Sequence, residues 1–336
     1  MKIATIARNS MMCAVLAWVS GPALAEIGEI TLAKQYGVSY LPFMVMEHDK
    51  LLEKHAKAAG LADIKVNWRT FAGGGVMNDA LISGSLQFAS AGVPSVVTLW
   101  EKTKGNLNIK GVCAMSSLPS YLNTRDPAVK SIKDLSDADK IALPAVKVSN
   151  QAIFLQMATA EAFGIAHYNK FDKNTVTMSF VDGTAAMLSG SSEINNHFVS
   201  PPFAQMQLEK PGIRNILNSY DVMGGPATLI VVYTTEKMRK DNPKTYAAFL
   251  SAFEEAVNII NKDKHAAAVF YVNETKAKVP VEMVEKIVSD PQVEYTMTPK
   301  NIGKYADFMH KVGSLKTRPT SWKEMFFPEV HGLPGS

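Results

Sequence analysis

Residues 64–103 read IKVNWRTFAGGGVMNDALISGSLQFASAGVPSVVTLWEKT, and this stretch decides the fold. Ile64 to Thr70 reads as a strand, after which Gly73-Gly74-Gly75 turns the chain into a helix through Leu81. Leu86 to Ser90 is a second short strand. Gly92 and Pro94 then open a helix through Thr103, proline being tolerated in a first turn because the N–H it lacks has no partner there anyway. Strand, helix, strand, helix predicts a mostly parallel sheet covered on both faces. Right-handed crossovers bring the C-terminal ends of such strands to one edge, where the loops collect.

The same rhythm extends in both directions. Upstream, Glu29 to Ala33 reads as a strand, Lys34 to Pro42 as a loop and Phe43 to Ala59 as a helix. Downstream, a second unit begins after Met115, with Asp126 to Asp139 as an exposed connection rich in Asp, Lys and Ser. Lys140 to Leu143 reads as a strand, and Ser149-Asn150 caps a helix through Phe163. Val176 to Phe180, Ala185 to Leu188 and Ile194 to Phe198 repeat strand, helix, strand, and Pro201-Pro202 opens a short helix. Gly224-Gly225 precedes the β-branched strand Thr228 to Thr234. Pro243 to Lys262, His265 to Asn273, Val281 to Val288 and Pro299 to Val312 read as helices. This helical run has no core of its own, so it is expected to wrap the first unit.

The N-terminus has the layout of a secretory leader: Lys2 and Arg8, an apolar run from Met11 to Val19, and Ala23-Leu24-Ala25 as a cleavage signature. The run is far short of the roughly 20 residues of a membrane-spanning helix. No Cys follows within the next few residues of the cleavage site, so residues 26–336 are expected to be free in the periplasm and monomeric. Apolar residues make up 47% of the chain, enough for a proper core. Lys and Arg number 35 against 31 Asp and Glu, for a formal net charge of +4, and the leader carries two of the cations. That balance argues against a nucleic-acid surface, which needs a clustered basic face. Outside the leader the only cysteine is Cys113, read as a buried core thiol.

Leu32 to Leu61 (LAKQYGVSYLPFMVMEHDKLLEKHAKAAGL) resembles the opening of the nitrate/sulfonate/taurine family of periplasmic substrate-binding proteins, which serve ABC importers. The resemblance continues in Gly73 to Leu81, Ser90 to Pro94, Ile132 to Leu135, Ile141 to Pro144, Leu188 to Gly190 and Glu193 to Phe203. It ends in the tail Lys304 to Pro328, and so spans nearly the whole chain after the leader. It implies an α/β type II periplasmic binding fold of two lobes, the first of them discontinuous. The first lobe would be residues 26–117 and 221–336, the second 118–220, with crossings near Met115 to Tyr121 and Asn218 to Gly225. The implied partners are a small-molecule ligand and an inner-membrane permease.

Such a cleft does not need a charged side chain. Helix N-termini present unpaired N–H groups and a partial positive charge that stabilise an anion. Three loops at helix starts have this character: Gly73-Gly74-Gly75, Ser90-Ala91-Gly92-Val93, and the turn holding Ser149 and Asn150. The alternative for each is a plain turn or cap. Tyr36, Ser39 and Tyr40 follow the first strand, and His197 and Phe198 end a strand of the second unit. Rings on both sides of a cleft favour an organic ligand with an apolar body, although Phe198 also reads as core. Lys147 is the cation nearest a proposed cleft loop, and a solvated surface lysine is its plainer reading.

Catalytic signatures are missing from the sequence: no G-x-S-x-G, S-x-x-K, H-E-x-x-H, C-x-x-C or Walker A pattern occurs. No enzyme activity, cofactor or metal is therefore expected. The expected ligand is a small organic anion, a sulfonate or a carboxylate. A thiamine-pyrimidine precursor and an exported enzyme on the same scaffold are the alternatives. Fungal thiamine-pyrimidine synthases share this fold, but they use a cysteine-rich metal motif that this chain does not carry.

Overall fold

The computed structural model describes residues 26–61 and 63–336; the leader expected over residues 1–25 lies outside them. The first lobe opens with β1 (Glu29–Lys34), α1 (Leu41–His48), α2 (Leu51–Ala58), β2 (Lys65–Thr70), α3 (Gly74–Ile82), β3 (Ala89–Gly92), α4 (Val93–Lys102) and β4 (Lys110–Ser117). The second holds β5 (Tyr121–Thr124), β6 (Ile141–Leu143), α5 (Asn150–Phe163), β7 (Thr175–Thr177), α6 (Phe180–Ser189), β8 (Asn196–Val199), α7 (Phe203–Leu208), β9 (Arg214–Asn218) and α8 (Ser219–Met223). The chain then returns through β10 (Thr228–Thr234), α9 (Glu236–Asp241), α10 (Pro243–Lys262), α11 (Lys264–Thr275), α12 (Val281–Val288), β11 (Glu294–Tyr295) and α13 (Ile302–Lys311). None of the described helices is long and apolar enough to cross a membrane.

The sheets are mixed rather than mostly parallel. β1 and β2 pair in parallel, whereas the four-stranded sheet β11-β4-β10-β3 is antiparallel throughout. In the five-stranded sheet β7-β6-β8-β5-β9, β6 pairs in parallel with β7 and β8, and β5 antiparallel with β8 and β9. The reason is the path of the chain. β4 runs toward the junction and ends at Ser117, and β10 starts beside it, Thr228 opposite Ser117, and runs away. β5 likewise leaves the junction at Tyr121 beside Val199, the end of β8. A strand that arrives from the other lobe enters at the edge where its neighbours finish, so it runs against them.

Several element boundaries also differ from the sequence expectation; the strand expected over Val176 to Phe180 is only Thr175–Thr177, and Phe180 opens α6. The helix expected over Phe43 to Ala59 is two helices, broken where Lys50 takes a left-handed conformation at φ 50°. The strand expected over Leu86 to Ser90 is shifted to Ala89–Gly92, with Leu86 still buried in the core.

The C-terminal helices pack on the first lobe through aromatic rings. On α10, buried Phe249, Phe253, Ala256 and Ile260 recur at helical spacing. The Phe249 ring stacks on Phe88 at 4.1 Å and meets Phe43 edge-on at 6.1 Å, while Phe253 meets Phe43 at 5.9 Å. The tail returns to the same sheet, where the Phe326 ring lies over Gly111. β10 (TLIVVYT) is buried at every position, as its β-branched run requires of a central strand. Cys113 is free and buried on β4, and burial raises its thiol pKa far above the ordinary range, so it is an unreactive core residue. Because Phe249 is fully buried where α10 joins the sheet, Phe249→Ala should lower the unfolding free energy by about 3–5 kcal/mol. Denaturant unfolding followed by circular dichroism reads this directly.

Candidate functional site

Three helix starts converge on the gap between the lobes. From the first lobe α3 begins at Gly74 and α4 at Val93, each preceded by a glycine that has no side chain to cap it. From the second, α5 begins at Asn150 and is capped by Ser149, whose Oγ accepts from the Ala152 N–H at 3.2 Å. Uncapped first turns leave N–H donors and the positive end of the helix dipole to face an acceptor.

Between these starts lies a cavity of about 30 Å³, room for a water or two. Of the residues singled out in the sequence, it is lined by Ser39, Tyr40, Gly74, Gly92, Ser149 and Asn150. The other lining residues were not foreseen: Gln35, Ser95, Pro144, Ala145, Gln151, Phe180, Ser200, Leu229 and Ile230. No side chain that carries charge at neutral pH lines it. Tyr40 is buried, and burial raises its pKa well above 10, so it is a neutral hydroxyl beside Gln35.

The walls touch across the gap. Asn150 Oδ1 accepts from the Val93 N–H at 3.1 Å, and its Nδ2 donates to the Leu229 carbonyl at 2.6 Å. Gly92 is required here, because a Cβ on it would come within 2.6 Å of Asn150 Nδ2. Behind the cavity Gln151 Nε2 donates to Ser120 Oγ at 3.2 Å and to Ser200 Oγ at 3.1 Å, while Ser120 N donates to Ser219 Oγ at 2.8 Å. Ser120 precedes β5 and Ser219 opens α8, where the chain passes between the four- and five-stranded sheets, so this network ties the cavity floor to that junction.

The gap widens outward into a groove of about 540 Å³ that shares Pro144 and Ala145 with the inner cavity. Gly73, Gly75, Val76, Met178 and Asp182 are among its lining residues. Two comparable hollows lie away from the helix starts, about 530 Å³ beside α7 and α12 and about 600 Å³ between α5 and α13. Neither is lined by a residue of the converging helix starts.

The remaining candidates lie outside the inner cavity. Gly73 and Gly75 line the outer groove only. Ser90 and Ala91 are buried beneath the site, and the Ser90 hydroxyl is used up donating to the Ala33 carbonyl at 2.5 Å. Val93 reaches the gap through its N–H while its side chain is core. Tyr36 and Lys147 are exposed on the surface. Phe198 is core, packed 6.1 Å from Phe154. His197 is fully buried inside the second lobe, its Nδ1 2.7 Å from Gln207 Nε2 and its ring against Gly183. β8 is buried on both faces, so neither of these two side chains reaches the gap.

No protein-family model and no curated protein sequence matches the chain. Solved structures do match. The alkanesulfonate-binding protein SsuA from Xanthomonas axonopodis pv. citri, bound to MOPS, superposes with a TM-score of 0.71 at 16% identity, over 90% of this chain and 99% of that one. This chain has the periplasmic binding protein fold. A Candida albicans protein described as having the generic form of that fold aligns at TM-score 0.66 and 14% identity, over 89% of this chain and 96% of its own. The periplasmic nitrate-binding protein NrtA from Synechocystis PCC 6803 aligns at 0.67 and 15%, over 89% of this chain and 84% of that one.

Burial lowers the His197 pKa to about 3, so the folded protein holds this ring neutral. The unfolded chain takes up a proton near pH 6.5, which makes stability fall as pH drops from about 6.5 toward 3. This one group should contribute a slope of up to about 1.4 kcal/mol per pH unit in that window. A His197→Gln variant should show a correspondingly shallower loss between pH 6.5 and 4.5 in denaturant titrations.

Proposed function

We propose that this chain is the solute-binding component of an ABC importer, exported to the periplasm, where its cleft captures a small organic anion and its closed form docks on an inner-membrane permease. The observation that carries this reading is the uncharged cavity at three converging helix starts between two lobes. An anionic head group at α3 and α4 meets main-chain donors and two positive dipole ends without an opposing carboxylate. The outer groove, with Val76, Pro144 and Met178 on its walls, suits an apolar body attached to that head. Two of the solved structures that share the fold are an alkanesulfonate-binding and a nitrate-binding protein, which supports an anionic ligand.

The domain boundaries follow from the same reading. Residues 118–120 and 219–227 join the four- and five-stranded sheets, and we place the hinge there. Ser120 and Ser219, hydrogen-bonded to each other at that place, act as its pivot. The inner cavity is lined by no His, Cys, Lys, Arg or carboxylate, which supports capture over turnover.

A thermal-shift series of alkyl and aryl sulfonates, carboxylates, nitrate and pyrimidines tests the proposal. A cognate anion at 100 times its Kd should stabilise the protein by about 2.7 kcal/mol and leave the solution unchanged in composition. A melting point unmoved by every anion, or consumption of any solute, overturns the proposal.

A further inference from the structure

The hollow of about 530 Å³ beside α7 and α12 shares no lining residue with the inner cavity. Its size is that of a site for a small organic molecule. Tyr121, Leu208, Met283 and Ile287 give it apolar walls, and Leu208 stays exposed at its edge. Pro119, Pro201 and Pro280 stiffen the backbone around it. Its charge is one-sided. Glu209, Glu282 and Asp290 line it against a single cation, Lys286, and among the described residues none of the three carboxylates is in an ion pair. Burial, and after it the Asp290 charge, raise the Tyr121 phenol pKa, so a neutral hydroxyl stands near that carboxylate. Gln205, another wall residue, has a buried carboxamide oxygen that meets no donor. The inner cavity, by contrast, is lined by no charged side chain.

We propose that this hollow is a second binding site, which takes a small organic cation: a primary ammonium joined to a compact apolar body. The ammonium supplies what the lining lacks. It brings a positive charge to Glu209, Glu282 and Asp290, and N–H donors to the oxygens of Tyr121 and Gln205. The Tyr121 ring adds the attraction of an aromatic face for a cation. The apolar body lies against Leu208, Met283 and Ile287. An anion meets the opposite balance of charge there, so the two sites divide their ligands by sign. The cation site rests on its own lining and not on the anion reading of the preceding subsection.

Amide-resolved ¹H–¹⁵N spectra of the protein, titrated with benzylammonium, benzyl alcohol and benzoate, test the proposal. Benzylammonium should give saturable shifts at Tyr121, Gln205, Leu208, Met283 and Ile287, with Gly74 and Val93 unmoved. Benzyl alcohol should bind about tenfold more weakly, the worth of three partly exposed charge pairs, and benzoate should not bind there. Added salt should erase most of the difference between the ammonium and the alcohol. Glu282→Gln combined with Asp290→Asn should weaken benzylammonium about fivefold, the worth of two such pairs, and leave benzyl alcohol unchanged. Leu208→Ser, at an exposed position that the fold does not need, should weaken both by the same factor. The proposal is overturned if benzylammonium gives no saturable shift at these residues, or if its shifts centre on Gly74 and Val93. Equal binding of the alcohol or benzoate, or wild-type affinity for benzylammonium in the double variant, overturns it as well.

Discussion

The main-chain N–H groups at the start of α4 face an inner cavity lined by no charged side chain, and the rest of the structure is arranged around that constraint. A buried donor must be satisfied by an acceptor. In this structure the opposite lobe satisfies the Val93 N–H through Asn150. Gly92 allows that approach, and Gly73, whose Cβ would come within 2.9 Å of the Pro144 carbonyl, allows a second one nearby. The surface we propose for solute recognition is thus the surface on which the two lobes meet.

The fold delivers that geometry through the direction of its strands. β3, β6 and β8 all finish at the gap, so the end of β3 and the turns after β6 and β8 place Gly92, Pro144 and Ser200 on its walls. Open α/β sheets generally bind ligands outside the carboxyl ends of their strands. The returning strand β10 completes the wall with Leu229 and Ile230, supplied from more than a hundred residues farther along the chain than β3. The stacked rings of Phe88 and Phe249 then fix α10 against the same sheet, so the wall is backed by a rigid core.

Much of this was legible in the residues. The glycines before α3 and α4 and the serine before α5 mark helix starts, and the structure gathers all three at one place. Local chemistry sufficed there because caps and tight turns are local. What was not legible depends on partners remote in sequence. Gln151 meets Ser120 and Ser200 only when the second lobe is assembled, and no local pattern announces it. β4 (KGVCAMSS) and β9 (RNILN) are built from weak strand formers, and it is pairing with neighbours that makes them strands. His197 and Phe198 misled for a related reason. An aromatic pair at a strand end suggests a cleft only if one face is open, and the second lobe covers both faces of β8. The break at Lys50 had no signal at all, since neither glycine nor proline stands there.

The account stands on backbone amides, not reactive side chains, holding a solute where the lobes meet. Amide-resolved ¹H–¹⁵N spectra recorded as an alkanesulfonate is titrated in measure this directly. The largest shifts should fall on Gly74, Val93 and Ser95, with further changes confined to residues 118–120 and 219–227 as the lobes move. Shifts centred on the hollow beside α7 and α12, with the first turns of α3 and α4 silent, would contradict it.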